Sequence, residues 1–424
     1  MLPWLAPDGR LILLTTSLRS FAVGFVSVLL ALYLKETGLD PVRVGAVLAA
    51  VLAGNAFFTT LASLFADHFG RKRSFMSLSM LTILGGALFP LTGSFILLLF
   101  VGGMAGFGLG GKDRAAQSSL EQPVLARAAP AERRTMLFAY YNVIGGLASA
   151  VGALCSGMPV ILENTLGMDI MDGYRLMFFL YAAIGAIVTL VYLRLTPAAE
   201  APAVDGRRVG ITLPRRSKGI IYRLAALGAM DSFGGGFMFQ TFLAYWFNLR
   251  YDLTLESLAG VFFAANIISS FSAIMAAWLA RRIGLINTMV WTHIPANLLV
   301  VAMAFSPFAW LTIAMLLLRE SMSQMDVPTR QSFTMAVVAP EEQTVAAGMS
   351  TLGRQGGQMP SPYISGLLVA ASLANAPLIV GGLVKVVYDL LLWQQFRNVR
   401  PPEEQSRPPE RASAKPAAPV DGAR

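Results

Sequence analysis

The chain has 424 residues, of which 55% are hydrophobic and only 13% charged, about half the charged share of an ordinary soluble domain. Apolar residues run on for about twenty positions at a time, more uniformly than the buried face of a soluble helix needs, so a water-soluble globule is excluded and a chain threading a bilayer is expected. One cysteine, Cys155, and two histidines, His68 and His293, exclude a disulfide framework and leave no zinc or other metal site, while the formal charge of +9 falls largely in connecting segments rather than in a stripe for nucleic acid.

In chain order, apolar stretches fall at 11–34, 44–66, 74–92, 94–118, 135–158 and 174–193, then at 220–247, 257–280, 285–305, 308–335, 345–370 and 373–393. This pattern predicts an all-α membrane protein with twelve transmembrane helices. The first run is too long for the apolar core of a cleavable signal and reads as a span. A basic segment at 194–219 divides the chain into an N-terminal six-helix bundle, 1–193, and a C-terminal one, 220–396. The Pro-, Glu- and Arg-rich stretch 397–424 has little to bury and is expected to be a disordered cytoplasmic tail.

Basic residues fix the expected orientation. Placing the N-terminus inside puts Arg10, Arg71, Lys72, Arg73, Arg127, Arg133, Arg134 and the basic residues between Arg194 and Arg223 on the cytoplasmic side. Only Lys35, Arg43, Arg175 and Arg250 are then left outside, in the company of Glu163, Asp169 and Asp172. Both termini are expected in the cytoplasm.

The two sets of spans echo each other: LRSFAVGF at 18–25 matches MDSFGGGF at 230–237, ADHFGR at 66–71 matches ARRIGL at 280–285, and APAERRT at 129–135 matches APEEQTV at 339–345. Order and spacing are kept, which sets Arg19 opposite Asp231 in the repeat. Parallel halves related by an axis along the membrane normal suit a central passage.

The segment SLFADHFGRKRSF at 63–75, with Ala66, Asp67, Gly70, Arg71 and Lys72, resembles the signature between helices two and three of the major facilitator superfamily. The resemblance spans about residues 10–395. It implies two pseudo-symmetric six-helix bundles in the inner membrane, able to work as a monomer. A small organic solute and protons are the partners it implies, with no cofactor and no enzymatic chemistry. It also implies a cytoplasmic latch in which Asp67, Gly70 and Arg71 meet Glu121 and the start of helix eleven near Val345. The helix-five motif typical of drug–proton exporters is incomplete, because Ala153 stands where its proline belongs. Helix eleven carries a closer copy, GQMPSPYISG at 357–366, which predicts a kink there.

Ionisable residues at membrane depth are expensive and mark candidate sites. Arg19 lies about 12 Å into the first span at 1.5 Å per residue, and Asp231 lies at a similar depth in the seventh. They are candidates for substrate binding or proton coupling, or for an ion pair across the halves. Helix ten carries Arg319, Glu320, Asp326 and Arg330, with a kink expected at Pro328. Its neighbours Arg319 and Glu320 are expected on different sides of the helix, with at least one partner elsewhere. Arg319, Glu320 and, in helix eleven, Arg354 are assigned to a cavity. Asp326 and Arg330, with Asp113 and Arg114 of helix four, are assigned to gating networks. Tyr140, Asn142 and Gln240 are the polar candidates for substrate contact. Lys385 and Asp389 read as an i,i+4 helix-stabilising pair. The Gly-rich run 102–111 follows no strand and lacks the Lys-Ser/Thr of a phosphate loop, so it serves helix packing.

Secondary active transport of a small organic solute by alternating access, coupled to protons, is the function expected. Three mid-span arginines against Asp231 and Glu320 lean towards an anionic or zwitterionic solute. The alternatives are a lipophilic cation–proton antiporter, an uncoupled facilitator and a nontransporting receptor.

Overall fold

The computed structural model describes residues 4–110, 116–130, 133–200, 217–338 and 342–397, and all regular structure among them is helical. The N-terminal half comprises α1 (Pro7–Glu36), α2 (Pro41–Phe69), α3 (Arg71–Leu88), α4 (Phe95–Met104), α5 (Ala116–Ala128), α6 (Arg134–Cys155), α7 (Met158–Leu166) and α8 (Ile170–Tyr192). The C-terminal half comprises α9 (Lys218–Gly236), α10 (Gln240–Tyr251), α11 (Leu255–Ile283), α12 (Leu285–Phe305), α13 (Ala309–Glu320), α14 (Asp326–Val337), α15 (Gln343–Gln358), α16 (Ser361–Ala370) and α17 (Ala376–Phe396). Residues 398–424, all but the first of the expected disordered tail 397–424, and residues 201–216 of the linker lie outside the described residues.

Among the described residues, eight helical stretches are long and apolar enough to cross a membrane. The other four predicted spans are each divided: the fourth into α4 and α5, the seventh into α9 and α10, the tenth into α13 and α14, the eleventh into α15 and α16. Two of the divisions have a local cause. Three successive glycines, 234–236, end α9, and glycine is the weakest ordinary helix former. The eleventh breaks around Pro360 and resumes with Pro362 in the first turn of α16, as its sequence predicts. In the tenth the break precedes the expected site: α13 stops at Glu320, residues 321–325 form turns, and Pro328 falls in the first turn of α14. A proline there costs no hydrogen bond, because that N–H has no helical partner in any case.

Packing repeats between the halves. In the first, α1 lies on α6 and α3 on α8; in the second, α9 lies on α15 and α12 on α17. Small residues let backbones touch: a Cβ on Gly54 would stand 1.7 Å from the Gly103 oxygen, and one on Gly24 would stand 2.2 Å from that of Ser149. The halves meet where α6 packs on α11, α1 on α10 and α2 on α16. At the last contact a Cβ on Gly45 would come within 2.4 Å of the Pro362 carbonyl.

Hydrogen bonds cross between the halves towards the end where α1 turns into α2. Lys35 Nζ donates to Asn248 Oδ1 at 2.7 Å, Gln240 Nε2 to Ser27 Oγ at 2.9 Å, and the Thr241 amide to the Leu109 carbonyl at 3.1 Å. At the opposite end Gly70, at φ +92°, turns α2 into α3. There the first part of the linker is docked. Glu200 accepts from the backbone amides of Arg71 and Lys72 at 2.5 and 3.1 Å, while Lys72 Nζ donates to the carbonyls of Leu193 and Leu195. Arg127 donates to the carbonyls of Ala199 and Glu200, so residues 193–200 form a strap across the Gly70 turn.

Candidate functional site

A cavity of about 230 Å³ lies between the halves, at the level where α4, α10 and α14 begin or end. Non-helical backbone at membrane depth is tolerated only where protein or a water-filled cavity surrounds it, and the broken spans meet that condition. The N-terminal half gives the cavity a weakly polar wall: Val23, Leu52, Asn55, Ala56 and the backbone at 106–110. The C-terminal half supplies the charge: Asp231, Arg319, Glu320, Asp326, Arg354 and Lys385, with Gln240, Gln355, Gln358 and His293.

Asp231, 2% exposed, is the hub of that wall. Its carboxylate accepts from Lys385 Nζ at 2.5 Å and from Arg354 Nη1 at 2.9 Å, and Arg330 Nη1 stands 3.5 Å away. Arg330 also donates to Asp326 at 2.6 Å, one helical turn back on α14. Behind Lys385, Asp389 accepts from the Asn297 amide at 3.2 Å and holds His293 Nδ1 at 2.9 Å. The Lys385–Asp389 helix pairing expected from sequence is therefore corrected. Both side chains turn into the bundle, Lys385 to α9 and Asp389 to α12, because Asp231 and His293 offer buried partners. Arg319 and Glu320 correct the expectation that they diverge, since they pair with each other, while Glu320 also has the expected partner elsewhere, accepting from Ser323 Oγ at 2.8 Å. The end of α13 falls between this pair and the turn that follows, so strict helical divergence does not separate them.

Arg19 has no part in this wall. Its guanidinium grips Glu121 in a fork, at 2.5 and 2.9 Å, and also meets Tyr192. Glu121, fully buried, accepts further from Thr15, Thr16 and Tyr141. An ion pair across the halves between Arg19 and Asp231 is thus not formed; each is tied within its own half. Glu121, expected at the Gly70 latch, sits in the interior of the N-terminal bundle instead. At the turn itself it is Glu200, unanticipated from sequence, whose carboxylate faces the start of α3. The side chains of Asp67 and Val345, and residues Asp113 and Arg114, lie outside what the structure describes.

Of the polar candidates, Gln240 lines the cavity, while Tyr140 and Asn142 are exposed and stand outside its lining. Their neighbour Tyr141 points inward to Glu121. Lys385 and His293 were the residues missed. His293 is a lone ionisable group, and Lys385 a lone cation, deep in an apolar span, which was the available signal.

The two knots correspond span by span. Arg19, Glu121, Tyr141 and Tyr192 come from the first, fourth, fifth and sixth spans; Asp231, Arg330, Arg354 and Lys385 come from the seventh, tenth, eleventh and twelfth. The model of the Major Facilitator Superfamily matches residues 12–362. The chain belongs to that family. As a major facilitator protein it is a multi-pass membrane transporter of a small solute and not an enzyme. It is similar to the uncharacterized membrane protein YJR124C of Saccharomyces cerevisiae, at 22% identity over 92% of this chain and 94% of the relative. Among solved structures it shares the fold of a bacterial homolog of the human lysosomal transporter Spinster, at TM-score 0.71 and 15% identity over 94% and 98% of the two chains. The xylose transporter XylE from E. coli, in an inward-open conformation, superposes at TM-score 0.72 with 14% identity over 93% and 98%.

Proposed function

We propose that this major facilitator protein is a secondary active transporter that carries a small anionic or zwitterionic organic solute by alternating access, driven by a proton gradient. The observation that carries the reading is the cavity between the halves with the charged wall supplied by the C-terminal half. At about 230 Å³ it lies below the usual 300–1,000 Å³ of ligand pockets, which favours a small solute over a bulky lipophilic cation. The guanidiniums of Arg354 and Arg319 keep 24% and 17% of their exposure and are the groups best placed to meet a carboxylate. Glu320, Asp231 and Gln240 supply acceptors and an amide for the rest of the solute.

The hydrogen bonds near Lys35 and Ser27 clasp the halves at one end, and the charge asymmetry of the loops supports reading that end as the outer one. With the chain in an inner membrane and both termini cytoplasmic, the clasped state is closed to the outside. Loss of the clasp, with closure at the Gly70 end, is the other half of the cycle.

A thermal-shift screen of small metabolites on the purified protein, followed by uptake into vesicles with and without a pH gradient, tests the reading. A ligand at about a hundred times its Kd adds about 2.7 kcal/mol of stability and moves the unfolding midpoint visibly. Accumulation against a concentration gradient only when a pH gradient is present supports the reading. Uptake that never exceeds equilibration reduces the protein to a facilitator.

A further inference from the structure

His293 and Asp389 form a buried pair behind the Asp231 hub, on helices α12 and α17, and neither is used by the reading above. His293 is 5% exposed, yet it lines the cavity. Its Nδ1 lies 2.9 and 3.1 Å from the two Asp389 oxygens. The ring of Tyr388 stands edge-on at 6.3 Å.

Consider the charges facing this imidazole. From α17 come Lys385, Tyr388 and Asp389; from α14, Asp326 and Arg330; from α9, Asp231. From α15 comes Arg354, through Asp231. On the α13 side Arg319 and Glu320 cancel each other, and α11 presents the neutral Asn266 to the cavity. Asp231, Asp326 and Asp389 balance Lys385, Arg330 and Arg354. With the imidazole neutral, the network carries no net charge. With it protonated, the network carries one uncompensated positive charge in a buried wall.

We propose that His293 carries the coupled proton and that the solute is a singly charged organic anion, most simply a monocarboxylate, which enters at Arg354 and cancels that charge. This rests on the transporter reading and deepens it. An unbalanced charge is costly in a membrane interior, so protonation and anion binding favour each other. By linkage each strengthens the other by the same factor. The empty carrier returns with a neutral imidazole and a balanced wall. The loaded carrier crosses with the anion and the proton together, also balanced. Symport is then electroneutral. Imidazole suits the task because its ordinary pKa, about 6.5, lies where a membrane pH gradient acts.

Two measurements on the full chain test this. Histidine-labelled protein in nanodiscs gives two imidazole signals, since the chain has two histidines, and His293→Gln assigns them by removing one. If that variant does not fold, His68→Gln makes the assignment instead. A saturating monocarboxylate should move the His293 signal towards the protonated form at fixed pH. In vesicles the probes are lactate, pyruvate and gluconate, against xylose and uridine as neutral solutes and tetraphenylphosphonium as a cation. A monocarboxylate should accumulate with a pH gradient and ignore a potassium–valinomycin voltage. Its affinity should weaken up to tenfold per pH unit on the alkaline side. His293→Gln should lose accumulation and the pH dependence of affinity, its affinity for the anion staying at the weak alkaline value of the wild type.

An imidazole that stays in one protonation state from pH 5 to 9 overturns the proposal. So does a His293→Gln protein that accumulates like wild type, or a wild type that moves only the neutral or cationic probes. A wild type that moves none of the probes by counterflow fails the transporter reading, and this proposal with it.

Discussion

Arg19 and Asp231 hold equivalent places in the repeat, and each gathers the same set of spans around it with the signs reversed. In the N-terminal knot one cation faces one carboxylate, and hydroxyls of Thr15, Thr16, Tyr141 and Tyr192 complete the shell. Its job is to hold α1, α5, α6 and α8 together. Glu121→Gln leaves the Arg19 guanidinium buried without its counter-ion, a change that costs about 3–5 kcal/mol. A lowered unfolding midpoint in detergent is expected for that variant and for Arg19→Gln. The double variant should recover part of the loss. If each single change costs under about 1 kcal/mol, the knot is not what holds these helices. Sequence gave the depth of both residues and their equivalence, but not their partners. Equivalence under the repeat says that two residues sit alike in their own halves, and residues that sit alike need not face each other. Glu121 lay in a stretch that reads as a helix end, so its burial was hidden. Lys385 was visible as a lone cation in an apolar span, and Asp389 one turn away offered it a nearer but false partner.

At the scale of elements, the breaks in the helices were legible only where proline announced them. Helix eleven divides at its Pro-Ser-Pro run, and the seventh divides after three glycines. The tenth divides at Ser321–Met325, where no residue type demands it; the break there accompanies the Arg319–Glu320 pair and the cavity wall. Close approach of helices explains much of the glycine content, and two adjacent glycines of α15 separate packing from propensity. A Cβ on Gly357 would lie 2.2 Å from the Ala229 oxygen of α9, whereas one on Gly356 meets nothing within 4 Å. Gly356→Ala should therefore be neutral or stabilise by up to about 1 kcal/mol, since alanine favours the helix. Gly357→Ala should push α15 from α9 and lower the thermal midpoint. Equal effects of the two changes would refute the packing account. The docked strap at 193–200 overlaps the basic segment 194–219 expected to link the halves, and it docks through carbonyls, one carboxylate and the buried side chains of Leu195 and Ala199, which no periodicity reveals. Glu200→Ala removes the acceptor for the amides of Arg71 and Lys72 and should make trypsin cut at Arg194 several-fold faster. An unchanged digestion rate would mean that the carboxylate does not hold the strap.

For the whole molecule, the solvent decides the architecture: lipid around apolar spans leaves the interiors of the bundles and the passage between them as the places for ionised groups. That much was legible from composition, the repeat and the Gly70 motif. The state of the passage was not, because closure depends on contacts between halves that a sequence does not pair. The structure shows Lys35 bonded to Asn248 at 2.7 Å, which joins the end of α1 to α10 across the halves. The alternating access proposed above requires this contact to part once per cycle. In a Cys155→Ser background, which removes the single native cysteine, cysteines at positions 35 and 248 joined by a short reversible bis-thiosulfonate should stop turnover at least about tenfold, about 1.4 kcal/mol or more on the opening step. Reduction should restore it. The uncrosslinked double variant serves as the reference, so loss of the Lys35 charge does not confound the comparison. A fully linked protein that still turns over at the reference rate would show that solute passes without the bundles separating at that end. The two-bundle rocking motion would then have to be abandoned for movement of smaller elements, with the interrupted spans α4–α5, α9–α10 and α13–α14 as the parts left to move.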